Sequence, residues 1–389
     1  MASSPGPQRR DRARPRRLLV AGYALWGDGY PNARNTVRIL REHLDLPVIS
    51  CGFRLPEDFH LWRLARAGKS KAAFWLTRLL LGNLASAILV LARARRNDIV
   101  YVPYPSIFLL WLLSWIPRRW RPNCICDAYI TLWDTLFEDR SLGGASTGWA
   151  SRVLLSAESR ALRAAERVVV DTTANADHVS ARFGLHRSRV SAIPLAIDTP
   201  NHAAATSLAE SDGIINVLFV GTFVPLQGTA KIAEAIALLR DDETLRFTLI
   251  GDGQDAAGVA DALLSNPRVS WLRHWMSPAQ IEAHMRSTDI CLGVFGGSGK
   301  ASRVLPFKLY AALAAGKPVI TQRDYGLPDG VPAIPARLVE AAPAAMADAI
   351  QQLARAEASR EALSSRANQF FEEHLSARRI AAHWRAWLT

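Results

Sequence analysis

The sequence of 389 residues predicts an α/β protein of two doubly wound domains, each with a parallel sheet covered by helices on both faces. Its length suits two domains of ordinary size. Short apolar runs alternate with helical patterns, which is typical of parallel strands joined by crossover helices. The same succession occurs on both sides of a segment rich in Ala, Ser, Asn and Pro at residues 198–213, which we interpret as a linker.

The first series opens with an apolar strand at residues 17–21, a Gly-containing loop at 22–30 and a helix at 32–43. Strand, Gly-rich loop and helix in this order open a nucleotide-binding-like α/β unit. Further buried strands are predicted at residues 47–51, 98–103, 123–127, 167–171 and 189–193. The helical patterns between them lie notably at residues 74–96 and 151–165.

The second series repeats this plan. Strands are predicted at residues 216–220, 246–250, 269–272, 289–294 and 318–321, and helices at 229–239, 278–286 and 308–315. The tail at 357–388 also has a helical pattern. We therefore predict a disordered basic leader at 1–17, a first domain at 18–205 and a second at 206–374. The last helix, at about 375–389, is predicted to pack back on the first domain.

The positive charge lies entirely in the first half of the chain. Residues 1–205 carry 29 Lys and Arg against 16 Asp and Glu, a net charge of +13, whereas residues 206–389 carry 18 against 19. This excess calls for a negatively charged partner: an anionic membrane surface, an anionic acceptor or nucleic acid. No recognisable nucleic-acid module is present, which argues against nucleic acid. The Arg-rich leader lacks the apolar core of a secretory signal, so we expect a cytoplasmic protein.

Two uncharged apolar stretches, at residues 79–92 and 107–116, are flanked by Lys and Arg. Neither stretch reaches the roughly 20 residues that a membrane-spanning helix needs. Two interpretations stay open. The stretches could dock peripherally on the inner face of the plasma membrane, or they could be core helices whose charged ends are solvated.

The four cysteines give little sign of a metal centre. Cys124 and Cys126 lie two residues apart on a predicted strand, so their thiols share one face. A metal site would need more ligands nearby in the sequence, and none is found there. We expect reduced thiols in a cytosolic core and no metal.

Candidate ligand-binding residues follow the predicted strands, because ligands of open parallel sheets bind outside the carboxyl ends of the strands. In the first domain these are Gly27, Gly29 and Asp127. In the second they are Gly221, Thr222, Gly251, His274 and the segment 295–308. Two such domains facing one another would form a cleft with binding groups on both walls.

The segment at residues 295–321 is the richest in candidate residues. It begins with glycines, which let a ligand approach the backbone closely. Lys300, Arg303 and Lys308 place three cations within nine positions, and Pro306 lies where a helix would begin. A helix N-terminus with adjacent cations is an anion site that suits a diphosphate. The alternative is a solvated basic loop before an ordinary helix.

Residues 308–319, KLYAALAAGKPV, resemble the donor-site motif of retaining family 4 glycosyltransferases, K-x-x-E-x-M-A-x-G-K-P-V. Residues 221–228 resemble the phosphate-side loop of that family, and residues 247–253 its "liGdG" strand end. Residues 287–289 resemble the element before the donor loop. The first domain matches more loosely, through its Gly-rich opening and residues 192–198.

The resemblance implies a GT-B fold, two Rossmann-like domains facing a central cleft, with no obligatory metal and no cofactor. The first domain would bind the acceptor and the second a nucleoside diphosphate sugar. The implied reaction is retaining hexosyl transfer to a membrane-linked acceptor or a polysaccharide, as in polysaccharide biosynthesis.

Each candidate residue takes a role by this match. Arg303 and Lys308 would neutralise the diphosphate leaving group, which is the main electrostatic task where no metal helps. Asp127 would orient or deprotonate an acceptor hydroxyl, or else serve only as a strand-end cap. The remaining assignments are Gly27 and Gly29 near the reacting sugar, His274 and Trp275 near the nucleobase, amides from Ser302 through Val304 to Leu305 and at Gly221 and Thr222 on the diphosphate, Gly251 among the donor-binding residues, and Asp134, Asp139 and Arg140 on the acceptor side.

Two positions depart from the family motif. The glutamate that holds the donor ribose aligns with Ala311, and the basic residue of the phosphate loop aligns with Gln227. Lys300 is a candidate to replace the second contact, whereas nothing in the sequence replaces the first. The loss at Ala311 motivates an alternative hypothesis, a GT-B-like partner subunit without donor turnover.

Overall fold

The computed structural model describes residues 16–56, 59, 68–139, 147–198, 213–297 and 299–388. Most of the predicted leader and linker, together with Arg140 and the side chain of Asp139, lies outside the described residues.

The first domain contains a six-stranded sheet in which every pairing is parallel. Its strands are β1 (Leu18–Ala24), β2 (Val48–Arg54), β3 (Ile99–Val102), β4 (Cys124–Asp127), β5 (Arg167–Val170) and β6 (Val190–Ala192). Their order across the sheet is β2-β1-β3-β4-β5-β6. Because the order reverses beside β1, the loops after β1 and β3 diverge and open a crevice at the carboxyl ends.

The second sheet is also parallel and six-stranded, so the predicted fold class is confirmed. Its strands are β7 (Ile215–Val220), β8 (Leu245–Ile250), β9 (Val269–Leu272), β10 (Ile290–Leu292), β11 (Val319–Gln322) and β12 (Arg337–Val339). Their order is β12-β11-β10-β7-β8-β9. The three-residue strand β12 was not predicted, since so short a run carries almost no periodic signal.

Helices cover both sheets. They are α1 (Pro31–Leu44), α2 (Lys69–Arg93), α3 (Ile107–Leu113), α4 (Trp149–Ala164), α5 (Thr173–Phe183), α6 (Thr229–Leu238), α7 (Ala256–Leu264), α8 (Pro278–Arg286), α9 (Phe307–Ala314), α10 (Pro343–Arg355), α11 (Glu357–Phe370) and α12 (Ala377–Leu388). All four residues of β3 are at most 2% exposed, as expected for a central strand covered on both faces.

The C-terminal helix α12 packs against α1 of the first domain. Its Trp384 is 1% exposed and meets the Tyr101 ring edge-on, with 6.1 Å between the ring centroids. Leu18 and Val20 of β1 belong to the same apolar cluster. The chain therefore returns to the first sheet after completing the second.

Helix α2 is 25 residues long, so it extends well beyond the uncharged stretch at residues 79–92 whose length was compared with that of a membrane span. By length and composition alone, α2 is the one helix among the described residues that could cross a membrane. The apolar run is extended at its N-terminal end by Ala72, Ala73, Phe74, Trp75 and Leu76, which stand between basic residues. Compared with the helix predicted at residues 74–96, α2 is shifted toward the N-terminus.

The two domains touch along one side of the cleft. The amide of Leu195 donates to the hydroxyl of Tyr310 at 3.2 Å, and the amide of Thr173 donates to the carbonyl of Leu327 at 2.8 Å. The hydroxyl of Thr173 also donates to Asp329 at 2.7 Å. These contacts hold the carboxyl ends of the two sheets facing each other.

The four cysteines are buried and unpaired. Burial raises the pKa of the Cys124 thiol to about 12, and that of Cys291 to about 12 as well. Thiols in this state are unreactive, because the thiolate is the nucleophilic form.

Candidate active site

A cleft of about 570 Å³ lies between the carboxyl ends of the two sheets and is lined by both domains. Eight of the sequence-predicted site residues line it: Gly29, Asp127, Gly221, Thr222, Lys300, Val304, Leu305 and Lys308. Six others do not: Gly27, Gly251, His274, Trp275, Ser302 and Arg303. The structure thus brings together the two glycine-containing loops, one carboxylate and two of the three cations.

Lys308 lies in the first turn of α9 at the bottom of the cleft. Its Nζ is buried, has no hydrogen-bond partner among the described residues, and lies 3.6 Å from the centre of the Phe219 ring. Burial lowers the pKa of Lys308 well below its usual value. A buried ammonium is costly unless it is paired, so this position is prepared for an anion that the protein itself does not supply.

The glycine loop after β7 lies directly against Lys308. A Cβ on Gly221 would come 2.6 Å from the Lys308 Nζ, so a side chain there would displace the amine from its present position. Gly251 supports this loop from behind: its φ is +136°, and a Cβ there would collide with the Gly221 carbonyl. Gly251 therefore shapes the loop without lining the cleft. The sequence pattern alone could not distinguish this supporting role from direct contact with a ligand.

Asp127 ends β4 and is 4% exposed. Its Oδ2 accepts hydrogen bonds from Asn32 Nδ2 and from the Tyr101 hydroxyl, both at 3.2 Å, while Oδ1 accepts from the Tyr129 amide at 3.2 Å. Burial raises the pKa of Asp127 to about 7, although these three donors act in the opposite direction. A carboxyl group with this pKa can take up a proton near neutral pH. Asp127 also caps its own turn, so both of its predicted roles are compatible with the geometry.

Asp171 lines the same cleft and was missed as a candidate. It follows β5, and its Oδ1 accepts from Asn175 Nδ2 at 2.8 Å. Burial raises its pKa to about 6. The available signal was the one used for Asp127, an acidic residue at the carboxyl end of a buried strand.

Arg303 turns away from the cleft toward the first domain. Its guanidinium donates to Glu138 at 2.9 Å and lies 3.5 Å from His178 Nε2, while its carbonyl accepts a hydrogen bond from the Thr172 hydroxyl. Arg303 is 19% exposed and Glu138 is 27% exposed. This residue therefore contacts an acidic group across the domain boundary.

Asp134, Glu138 and His178 place one ligand atom each within 4.8 Å of one another, which is close enough for a metal site. Glu138, however, already accepts from two guanidinium groups, those of Arg303 and of Arg182 at 3.3 Å. The Nε2 of His178 lies 3.1 Å from one carboxylate oxygen of Asp134 and occupies that oxygen. Asp134, Glu138 and His178 therefore belong to an ion-pair network with the two arginines. The positive charge of the arginines disfavours binding of a metal cation.

The loop between β1 and α1 is held by ion pairs that sequence reasoning did not anticipate. Arg34 bridges Asp28 at 2.8 Å and Asp198 at 2.6 Å, and both acidic residues line the cleft. The amide of Tyr30 donates to the Gly27 carbonyl at 2.9 Å, which closes the turn. Gly27 thus forms the turn, and Gly29 faces the cleft.

The residues predicted near a nucleobase lie at the surface. His274 and Trp275 are exposed, Trp275 by 67%. Four residues of α8 line the cleft instead: Pro278, Ile281, Glu282 and Met285. Ser302 donates to the Gly299 carbonyl at 2.8 Å and so stabilises its own turn.

Glu282 adds a carboxylate to the cleft that Ala311 also lines, and one of its oxygens accepts from Arg286 at 3.2 Å. No spacing rule links residue 282 to residue 311, because they belong to different helices. Only the tertiary fold brings both residues to one cleft.

Each of the two domains matches a known protein family model. Residues 9–196 match the family model described as Glycosyl transferase 4-like domain, and residues 215–356 match Glycosyl transferases group 1. No curated protein matches the chain.

Solved structures share the whole architecture at low sequence identity. The N-terminal domain of trehalose-6-phosphate phosphatase from Candida albicans is 12% identical, with 96% of both chains covered and a TM-score of 0.68. HepE of Anabaena in complex with UDP is 14% identical, with 96% of this chain and 99% of HepE covered and a TM-score of 0.63. TarM of S. aureus is 15% identical, with 79% of this chain and 58% of TarM covered and a TM-score of 0.58. Together with the two family domains, this architecture makes the chain a glycosyltransferase of the GT-B fold, in which a glycosyltransferase 4-like domain precedes a group 1 domain.

Proposed function

We propose that the protein transfers a hexosyl group, with retention, from a nucleoside diphosphate sugar to a membrane-linked or polysaccharide acceptor in polysaccharide biosynthesis. The observation that carries this proposal is the buried Nζ of Lys308, which has no partner among the described residues and lies against the Gly221 loop. A diphosphate would supply the missing negative charge. Structures such as HepE of Anabaena, which was solved with UDP, support a nucleotide of this type.

The donor would lie with its diphosphate on Lys308 and the amides of Gly221 and Thr222, close to Lys300. Its nucleoside would lie against α8, where Ile281 and Met285 offer apolar surface. In this arrangement Glu282 would accept hydrogen bonds from the ribose hydroxyls.

The transfer breaks the bond between the anomeric carbon and the diphosphate and forms a bond to the acceptor oxygen. Lys308 and the loop amides would stabilise the charge on the departing diphosphate, a task that needs no metal in this proposal. Asp127, with a pKa of about 7, would orient the acceptor hydroxyl and take up its proton.

We further propose that the protein is cytoplasmic and contacts an anionic membrane surface through its basic first half. The net charge of +13 on residues 1–205 supports this location. A peripheral position would bring the cleft close to a membrane-linked acceptor.

The test combines calorimetric titration and donor hydrolysis across a panel of sugar nucleotides. Lys308→Ala is expected to abolish turnover while the circular dichroism spectrum stays unchanged. Arg303→Ala is expected to do the same, because we propose that Arg303 leaves Glu138 for the donor diphosphate during turnover. Lys317→Ala, on a lysine whose Nζ donates to the Arg286 carbonyl, serves as the matched control. Unchanged kinetics in both site variants would refute the proposed site, and a wild-type protein that binds none of the donors would instead favour a partner subunit without turnover.

A further inference from the structure

One face of α2 is an apolar stripe exposed to solvent. Seven large apolar side chains on it are each 44–60% exposed: Phe74, Leu76, Leu80, Leu81, Leu84, Ile88 and Leu91. From its first to its last member the stripe runs about 26 Å along the helix. Soluble proteins rarely expose a contiguous apolar surface of this size unless another surface covers it.

The opposite face of α2 is fixed to the first sheet. Asn83 Oδ1 accepts from the Tyr23 amide at 3.1 Å. Ser86 Oγ accepts from the Gly22 amide and donates to the Cys51 carbonyl, both at 2.7 Å. These bonds are buried, so a membrane-spanning orientation of α2 would leave several buried polar groups unpaired. The helix can therefore meet a bilayer only while it lies along the domain surface.

Two exposed tryptophans lie on the segment that follows α3. Trp115 and Trp120 are 62% and 64% exposed, just after α3, which packs on α2. Arg160 lies 3.8 Å from the centre of the Trp115 ring, and Arg119 lies 4.4 Å from that of Trp120. Trp beside Arg is typical of the headgroup level of a membrane, where one end of the side chain is apolar and the other is hydrated.

Positive charge predominates in the sequence around the stripe. Residues 59–126 contain eleven Lys and Arg and a single acidic residue, Asp98. Asp98 is 3% exposed and is paired with Arg17. The occupant that fits this segment best therefore combines apolar area with negative charge.

A groove of about 800 Å³ opens between β2 and the first half of α2. Its apolar walls include Phe53, Phe74 and Leu81, and Arg54 and Arg78 also line it. Among the described residues, neither of these guanidinium groups forms an ion pair. An acyl chain with a phosphate at its end matches this combination of apolar walls and cations.

We infer that α2 docks the protein in the plane of an anionic lipid bilayer, with the apolar stripe below the headgroups and the basic residues on the lipid phosphates. This surface is the means of attachment for the membrane contact proposed above. The inference rests on that proposed function, because docking serves to bring the cleft to a membrane-linked acceptor. A second copy of the chain fits less well, because two faces of the same positive sign would repel each other.

Vesicle sedimentation of the full chain tests the docking. Wild type should bind phosphatidylglycerol-containing vesicles and bind pure phosphatidylcholine vesicles at least about tenfold more weakly. A stripe variant carrying Leu81→Gln, Leu84→Gln and Ile88→Gln should lose on the order of 100-fold in partitioning, about fivefold per side chain. The matched control carries Leu238→Gln and Leu264→Gln, which alter equally exposed side chains on the second domain and should change nothing.

The depth of insertion can be read directly. Because the four native cysteines are buried, an environment-sensitive dye should label Leu84→Cys selectively. Its emission should shift to the blue with anionic vesicles, whereas the same dye on Leu264→Cys should not shift. An unshifted dye at position 84, or full vesicle binding by the stripe variant, would overturn the inference. Conversion of a dimer to a monomer by the stripe variant, with vesicle binding intact, would assign the face to contacts between copies instead.

Failure of the docking and failure of the proposed function give different results. UDP binding in vesicle-free solution depends on the cleft, so the stripe variant should bind UDP as wild type does. Loss of vesicle binding with intact UDP binding supports the docking surface. Absence of binding in wild type across UDP and the whole donor panel would refute the proposed transferase site and leave the vesicle result standing by itself.

Discussion

Arg303 of the second domain donates to Glu138 of the first at 2.9 Å, so a cation expected on the donor diphosphate is held by an acidic group across the domain boundary. The anionic donor and the Glu138 carboxylate would compete for the same guanidinium. The domain arrangement described here therefore has one ion pair to break before Arg303 can reach a donor.

Glu138→Gln is expected to tighten UDP binding about threefold, because the partly exposed ion pair no longer competes for Arg303. Calorimetric titration measures this directly. Glu340→Gln is the control, since Glu340 pairs with Arg323 on the exposed surface. Weaker UDP binding by Glu138→Gln would show instead that Glu138 positions Arg303 for the donor.

UDP binding is expected to take up a proton through Lys308. Burial lowers the pKa of this amine in the free protein, and contact with a diphosphate raises it, so the amine gains a proton wherever the pH lies between the two values. Titrations in buffers of different ionisation enthalpy measure the uptake. It should vanish in Lys308→Met and persist in Lys317→Met, and equal uptake in wild type and Lys308→Met would contradict the assignment.

Asp127→Asn is expected to lower kcat by about 100-fold or more, and wild-type activity should rise as the pH passes through about 7. Stability should change in the opposite sense. Because the folded-state pKa lies above the unfolded value of about 4, Asp127 destabilises the fold increasingly as the pH rises between these two values.

The melting temperature of Asp127→Asn minus that of wild type should therefore be more positive at pH 8 than at pH 5. Asp242→Asn is the control. The Thr244 hydroxyl holds the pKa of Asp242 below its usual range, so this variant should show no trend between pH 5 and pH 8. If the melting-temperature difference between Asp127→Asn and wild type does not change from pH 5 to pH 8, the Asp127 carboxylate is already ionised at pH 5.

Trp384→Ala is expected to cost about 3–5 kcal/mol in the free energy of unfolding, because it removes a fully buried ring that packs on Tyr101. Chemical denaturation measures the loss. Trp275→Ala, which removes a 67% exposed ring, should stay within about 0.5 kcal/mol of wild type. A loss below about 1 kcal/mol for Trp384→Ala would indicate that α12 does not hold the first domain in solution.

The sequence by itself determined the layered architecture and the segment that carries the buried cation. Strand and helix periodicity are local properties, so most strands and helices could be placed within a few residues. The Gly, Lys and Pro residues between positions 295 and 318 likewise act through local backbone geometry, which is why Lys308 could be singled out. Helix α2 begins before the start predicted at residue 74, because the basic residues Lys69 and Lys71 ahead of the apolar run are part of the helix.

Only the tertiary structure decided which candidates meet. Asp171 and Glu282 reach the cleft through the packing of separate elements, whereas Arg303 is turned to Glu138 and Trp275 to solvent. The two faces of α2 differ for the same reason: Asn83 and Ser86 bind the sheet, and the leucines opposite them face outward. Sequence spacing fixes which side chains share a helix face, but which face is covered depends on contacts between residues far apart in the chain.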